Sequence, residues 1–290
     1  MAISPNENIA VASYSDSAHV KVYDIRTGKL IKNIGGFLSP RNILFSPDGK
    51  ICYITDSGLG LLIAYDAVTF KIIHNYPVGY GAFGTAISKA GDVIYINNEA
   101  ASTVTVLDVK KDTIKKIIPG FSQPRQGVKL NPAGTKLYVT NFANDKVIVV
   151  DVATLKIDTG IGGFNKIRAI SITKDGNTMF AANSGTNNMV VVNTHTGDVI
   201  KEIPVGKDNY GAALSPDEKV VLSGNKMDNS ISVVDVATLT NVKTITGFKE
   251  PRQAIVFSKD GSYVYVLNND LSISLVNLKE ASIYRTIPVK

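Results

Sequence analysis

The feature that most constrains this chain is a pattern of about 42 residues that it repeats from end to end. An arginine marks the pattern at Arg41 in "GFLSPRNILFSPDG", Arg125 in "GFSQPRQGVKLNPAG", Arg168 in "GFNKIRAISITKDG" and Arg252 in "GFKEPRQAIVFSKDG". The spacings are 84, 43 and 84 residues, and stepping by the period fills the places between with Phe83 and Tyr210. Each marker is followed by an apolar run and then a turn, such as "SPDG", "SKAG", "NPAG" or "TKDG". A second apolar run, a polar loop, a third run ending in Asp or Asn, a "T-G-K"-like turn and a fourth run complete the unit.

The runs are short, often alternating, and rich in Val, Ile and Tyr, which reads as strands bounded by turn residues. Asp-Gly and Ala-Gly pairs supply the positive φ that tight hairpins need. No segment shows a sustained helical period. Four strands per unit predict an all-β fold, a β-propeller. Counting units by the residue that ends the third run gives Asp24, Asp66, Asp108, Asp151, Asn193, Asp235 and Asn277, hence seven blades. The expected organisation is a single domain over 1–290, with blades at approximately 1–36, 37–79, 80–121, 122–164, 165–206, 207–248 and 249–290. Composition agrees: of 290 residues, 44% are hydrophobic, enough for a sizeable core. The net charge of +6 comes from dispersed lysines, with no dense basic block of the kind that nucleic-acid binding favours. No apolar run approaches the roughly 20 residues of a membrane span. The single cysteine, Cys52, allows no internal disulfide and reads as a core residue.

"KLYVTNFANDKVIVVDVATLK" (136–156) resembles the YVTN-type propeller repeat, and the resemblance covers essentially the whole chain. It implies a seven-bladed propeller, commonly found on secreted or surface-attached microbial proteins, and implies no particular activity. WD-repeat propellers and virginiamycin B lyase share the architecture, but with no tryptophan this chain cannot carry the Trp-Asp signature. In the repeat's phase "MAIS" aligns with "ILFS" at 43–46, so Met1 falls inside an innermost strand. The expectation is a trimmed domain whose precursor carried an aromatic-Gly pair and an export signal upstream, placing the protein outside the cell, in a periplasm or on a surface.

Equivalent loops of a propeller meet around its axis, so Arg41, Phe83, Arg125, Arg168, Tyr210 and Arg252 are the candidate ligand-binding residues. The loops leading to them fall into two classes. Phe37, Phe121, Phe164 and Phe248 stand four residues before an arginine; Gly79 and Gly206 stand four residues before an aromatic followed by Gly. Guanidiniums gathered there would suit a carboxylate, phosphate or sulfate. The competing reading makes them structural, paired with rim acids: Asp56 for Arg41, Asp145 for Arg125 and Asp270 for Arg252. The column Asp56, Asn98, Asn141, Asn183, Asn225 and Asn268, with Tyr14, ends each second strand and reads as turn-forming.

His19, His74 and His195 fall at different heights of three blades and do not have the spacing of a metal site. No catalytic residue, metal ligand or cofactor is expected. The leading reading is a non-catalytic binding or scaffold domain, a monomer that meets a protein partner or a small anion at the channel mouth. A lyase or hydrolase using the same mouth is the second reading. A nucleic-acid binder is the third, with Phe142 and Tyr14 as the loop aromatics available for stacking.

Overall fold

In the computed structural model, which describes residues 1–14 and 16–288, the regular structure is entirely strand. Seven four-stranded sheets follow one another, and in each the strands pair antiparallel in sequence order. This is a seven-bladed β-propeller. The last fourth strand is Ser282–Ile287, and the closing Val289 and Lys290 of its "IPVK" motif lie outside the described residues. Two compact units divide the chain: residues 1–144 with 148–159, carrying blades 1 to 3 and most of blade 4, and residues 145–147 with 160–290, carrying blades 5 to 7.

Sandwiched strands form the core. In blade 2 the second strand, Ile51–Asp56, buries all but its first residue, whereas the outer strand, Ile72–Pro77, is mostly exposed. Faces of successive blades meet through apolar clusters. Val11, Ile34, Ile54 and Ile63 pack blade 1 on blade 2. Val106, Val128, Val139 and Val150, with Ile148, pack blade 3 on blade 4. Met189, Val191, Val221 and Val234 pack blade 5 on blade 6. Val192 and Cys52 are fully buried, and burial pushes the Cys52 thiol pKa far up, as befits an inert core residue.

The turns explain the sequence signals. At the hairpin joining strands one and two, Gly49, Gly91, Gly134, Gly176 and Gly261 all have φ between 70° and 78°, with Glu218 taking the same left-handed place in blade 6. At the turn after strand three, Asp24 Oδ1 accepts the Thr27 N–H at 2.6 Å and its hydroxyl at 2.7 Å; Asp66–Thr69, Asp151–Thr154 and Asp235–Thr238 repeat the arrangement.

Candidate functional site

Four of the six markers sit in a β-bulge at the start of an innermost strand, while Tyr210 and Arg252 stand just before the strands Ala213–Leu214 and Ile255–Phe257. In blade 2 Pro40 pairs with Asp56 and Ile43 with Ile54, so Arg41 and Asn42 together face Thr55. The register shifts likewise at Phe83–Gly84 opposite Asn97, at Arg125–Gly127 opposite Thr140, and at Arg168. A bulge re-aims the side chain it carries, here away from the alternating in-out pattern of the strand. The residue opposite the bulge then reaches forward. Ser13 Oγ donates to Arg41 O at 3.1 Å, Thr55 Oγ1 to Phe83 O at 2.7 Å and Asn97 Nδ2 to Arg125 O at 2.7 Å. Blades 1 to 3 therefore each pin the backbone of the next blade's marker, 28 residues on.

In the first unit the markers share one space. Asn42 Nδ2 donates to Thr85 Oγ1 at 2.5 Å, and Gln126 Nε2 donates to Asn42 Oδ1. Asn42 and Gln126 belong to blades 2 and 4, which are not neighbours, so side chains that touch across them must project from the innermost strands toward the axis. Around this bridge Arg41 donates from Nε to Ser57 Oγ at 2.9 Å and lies over Phe83, 4.8 Å from the ring centroid. Arg125 lies over Phe142 at 3.9 Å, and its Nε stands 2.8 Å from Glu99 Oε1. That contact is ionic rather than a hydrogen bond, because the Nε–H does not point along it. Burial lowers the Arg41 pKa, opposed by Glu99 and Asp16 and reinforced by Arg125. The guanidinium still carries its charge at neutral pH.

The second unit repeats the theme. Arg168 donates from Nε to Ser184 Oγ at 2.9 Å and lies over Tyr210 at 4.5 Å, while Arg252 approaches the same ring at 5.8 Å. Arg41 to Arg168, Phe83 to Tyr210 and Arg125 to Arg252 are each 127 residues apart. An arginine–aromatic–arginine triplet thus occurs once in each unit. The same offset relates Ser57 to Ser184 and Glu99 to Lys226. Where the first triplet has an acid, the second has a base, Lys226, 3.8 Å from Glu250.

The three expected acid–arginine pairings need correction. Asp56 does not hold Arg41: its carboxylate accepts the backbone N–H groups of Leu38, Ser39, Gly58 and Leu59, four donors that outcompete one side chain. Asp145 accepts from the Lys166 N–H, Asp270 is held by Lys249 and Ser272, and the acid beside Arg125 is Glu99. The true partners, Ser57, Glu99, Phe142 and Ser184, each stand one residue after the buried Asp/Asn column. That column is built in. Asn98 Nδ2 reaches Val78 O, Thr103 Oγ1 and Thr105 Oγ1 at 2.8–3.1 Å, and Asn141, Asn183 and Asn268 accept backbone N–H groups of their own leading loops. Its regular spacing marks the loop positions that carry these partners, whose residue types vary from blade to blade.

The aromatic-Gly pairs have a packing reason. A Cβ on Gly84 would fall 2.6 Å from Arg125 O and 2.7 Å from Gln126 O, and one on Gly211 2.9 Å from Ile255 Cδ1. Of the histidines, His74 lies on an outer strand 3.4 Å from Asp112, remote in the blade from the markers. Among the described residues no group of three or more His, Cys, Asp or Glu is arranged to hold a metal ion, and no helix is long and apolar enough to cross a membrane.

A family model described as "Lactonase, 7-bladed beta-propeller" matches residues 1–202. No curated protein matches the chain in sequence. Among solved structures, Kuenenia stuttgartiensis hydrazine synthase is similar, with a TM-score of 0.83 and 19% identity over 95% of this chain and 94% of that one. Dihydro-heme d1 dehydrogenase NirN in complex with DHE is similar with a TM-score of 0.72 and 17% identity, over 100% of this chain and 65% of that one. At these identities the likeness is one of fold.

Proposed function

Given that the chain belongs to the lactonase family of seven-bladed β-propellers, we propose that it is a binding domain for small anions, a carboxylate, phosphate or sulfate, and that its arginine–aromatic–arginine triplets are the recognition elements. The observation that carries this reading is the placing of Arg168 and Arg252 on one tyrosine ring, at 4.5 and 5.8 Å. An aromatic face holds a guanidinium by its π-surface, and the planar fork of N–H donors then faces sideways, the direction from which it meets a carboxylate or phosphate in two parallel bonds. The second triplet has Lys226 beside it where the first has Glu99, so the anion prefers the second. Within the family we assign the repeat to the YVTN type on residues 136–156, and with it a single domain over 1–290 that is exported or displayed at a surface. The nucleic-acid reading has less support, because Arg125 covers a face of Phe142, one of the two stacking candidates.

A second reading, hydrolysis of a lactone, is favoured by the family match and by the Glu99–Arg125 contact. A carboxylate poised at the channel side of the inner strands can take a proton from water, and Arg41 can meet the carboxylate that ring opening creates. Isothermal titration with citrate and sulfate, paired with acid release from γ- and δ-lactones, separates the readings. The binding reading expects heat on anion addition, affinity at least tenfold weaker in Arg168→Ala, and no acid release. Neither heat nor an anion-dependent rise in melting temperature would sink it. Lactone turnover lost in Glu99→Gln would replace it with the second reading.

A further inference from the structure

At the opposite ends of the strands from the markers, the turns between strands one and two carry a packing device. A Cβ on Gly49 would stand 3.4 Å from Pro5, one on Gly91 2.9 Å from Pro47, and one on Gly261 3.6 Å from Pro216. In these seams the proline of one blade's turn plugs the gap beside the glycine of the next. Blade 3 has Lys89 in the proline's place, and beside Gly134, the next turn glycine, nothing lies within 4 Å. The unplugged seam holds a cavity of about 300 Å³. Its walls include Tyr95, Val106, Leu130 and Leu155, and Lys89 and Lys115 line it with exposed ammonium-bearing side chains.

Two comparisons argue that the cavity is more than a packing fault. Where a lysine replaces the proline in blade 5, the gap is closed: Lys174 Nζ donates to Pro216 O at 2.5 Å, and its N–H donates to Glu218, which takes the place of the turn glycine. Lys89 and Lys115 make no such bond and no ion pair within 4 Å among the described residues. Asp92, in the same turn as Lys89, accepts from Ser88 Oγ at 2.6 Å, and Lys115 acts on its carboxylate only through space. Apolar walls under two ammonium groups that make no hydrogen bond or close ion pair among the described residues match a ligand with a hydrocarbon body and one negative end.

We propose that the seam between blades 3 and 4 is a binding site for a short aliphatic monocarboxylate, with its chain against Val106 and Leu130 and its carboxylate between Lys89 and Lys115. A volume near 300 Å³ is at the small end of small-molecule sites and suits a chain of about six to eight carbons. The site is distinct from the triplets, and its test keeps the two apart. Hexanoate is titrated into the protein while the methyl resonances of Val93, Val106 and Leu130 are followed by NMR. Saturation near about 1 mM is expected for a ligand of this size, with hexylammonium and hexanol at least tenfold weaker. Arg168→Ala should leave the hexanoate response intact. Lys89→Pro installs the plug used in the other seams and should abolish the response while holding or raising the melting temperature. If that variant fails to fold, Lys89→Gln with Lys115→Gln should erase the preference for hexanoate over hexanol. Hexanoate shifts that map elsewhere or persist in folded Lys89→Pro, or hexylammonium binding as tightly, would overturn the assignment.

Discussion

Arg168 lies over the ring of Tyr210, one blade further along the chain, with its guanidinium carbon 4.5 Å from the ring centroid. Arg41 stands in the same relation to Phe83. An arginine marker followed by an aromatic marker therefore leans on it, and Arg252 approaches Tyr210 from the following blade. A stacked cation of this kind is worth about 1 kcal/mol when partly exposed. Tyr210→Phe keeps the ring and should hold anion affinity within about twofold. Tyr210→Leu removes it and should weaken anion binding about fivefold, since 1 kcal/mol corresponds to that ratio. Calorimetric titration of the two variants side by side checks the difference.

The buried column that ends each second strand is a stability element with residue-specific chemistry. Asn98 is fully buried and donates from one amide nitrogen to three acceptors, while Asp56 at the same place in blade 2 accepts from four N–H groups. Asn98→Ala removes these bonds, leaving Thr105 Oγ1 as the donor to Val78 O, and should cost about 1–3 kcal/mol. Asn98→Asp should cost more, because it sets a carboxylate against the Val78 carbonyl. Urea unfolding of both variants, with the slope of the transition unchanged, tests the order.

The repeat made the blade count and strand order legible because each turn needs a particular residue. Gly49 and Gly134 sit at left-handed φ, and Asp24 and Asp66 need the threonine three places on. The six markers were legible as equivalent positions for the same reason. Which groups they touch was not. Glu99 and Ser57 lie in loops with no periodic composition of their own, and whether an acid pairs with an arginine or with four backbone N–H groups depends on how a loop folds back. The expectation that Asp56 held Arg41 failed on that point. Nor does the sequence announce the cavity, since Lys89 becomes conspicuous only when Pro5, Pro47 and Pro216 are seen to fill the same gap.

The aromatic-Gly class should prove intolerant of even one added methyl. At Gly84 a Cβ would meet Arg125 O at 2.6 Å, and that carbonyl cannot retreat freely, because Asn97 Nδ2 holds it at 2.7 Å. Overpacking against fixed backbone costs about 1–3 kcal/mol, and Gly84→Ala should fall at the upper end. Asn97→Ala releases the carbonyl, so the double variant should be less destabilised than the two single costs predict together. Additive costs in urea melts would show that the clash is relieved elsewhere.

Acid should loosen the molecule through its turns. Asp24, Asp66, Asp151 and Asp235 are all held below the ordinary value of 3.8, first by the backbone N–H of the threonine three residues on and then by its hydroxyl. Asp48, Asp217 and Asp260, in the turns between strands one and two, are lowered chiefly by the serine two residues before. A carboxyl whose folded pKa lies below its unfolded one adds stability that is complete above the unfolded value and disappears as pH falls through the folded value. These groups are exposed, so each contributes little and the effect lies in their number. The melting temperature should stay level from neutral pH to about 5 and fall below about 4. Replacing Thr69 and Thr238 together by valine removes the two hydroxyl hydrogen bonds and keeps the two from the backbone N–H. The variant should therefore melt lower at pH 7 and show a shallower loss toward pH 3. An unchanged acid slope would place the source of acid lability in groups other than these turns.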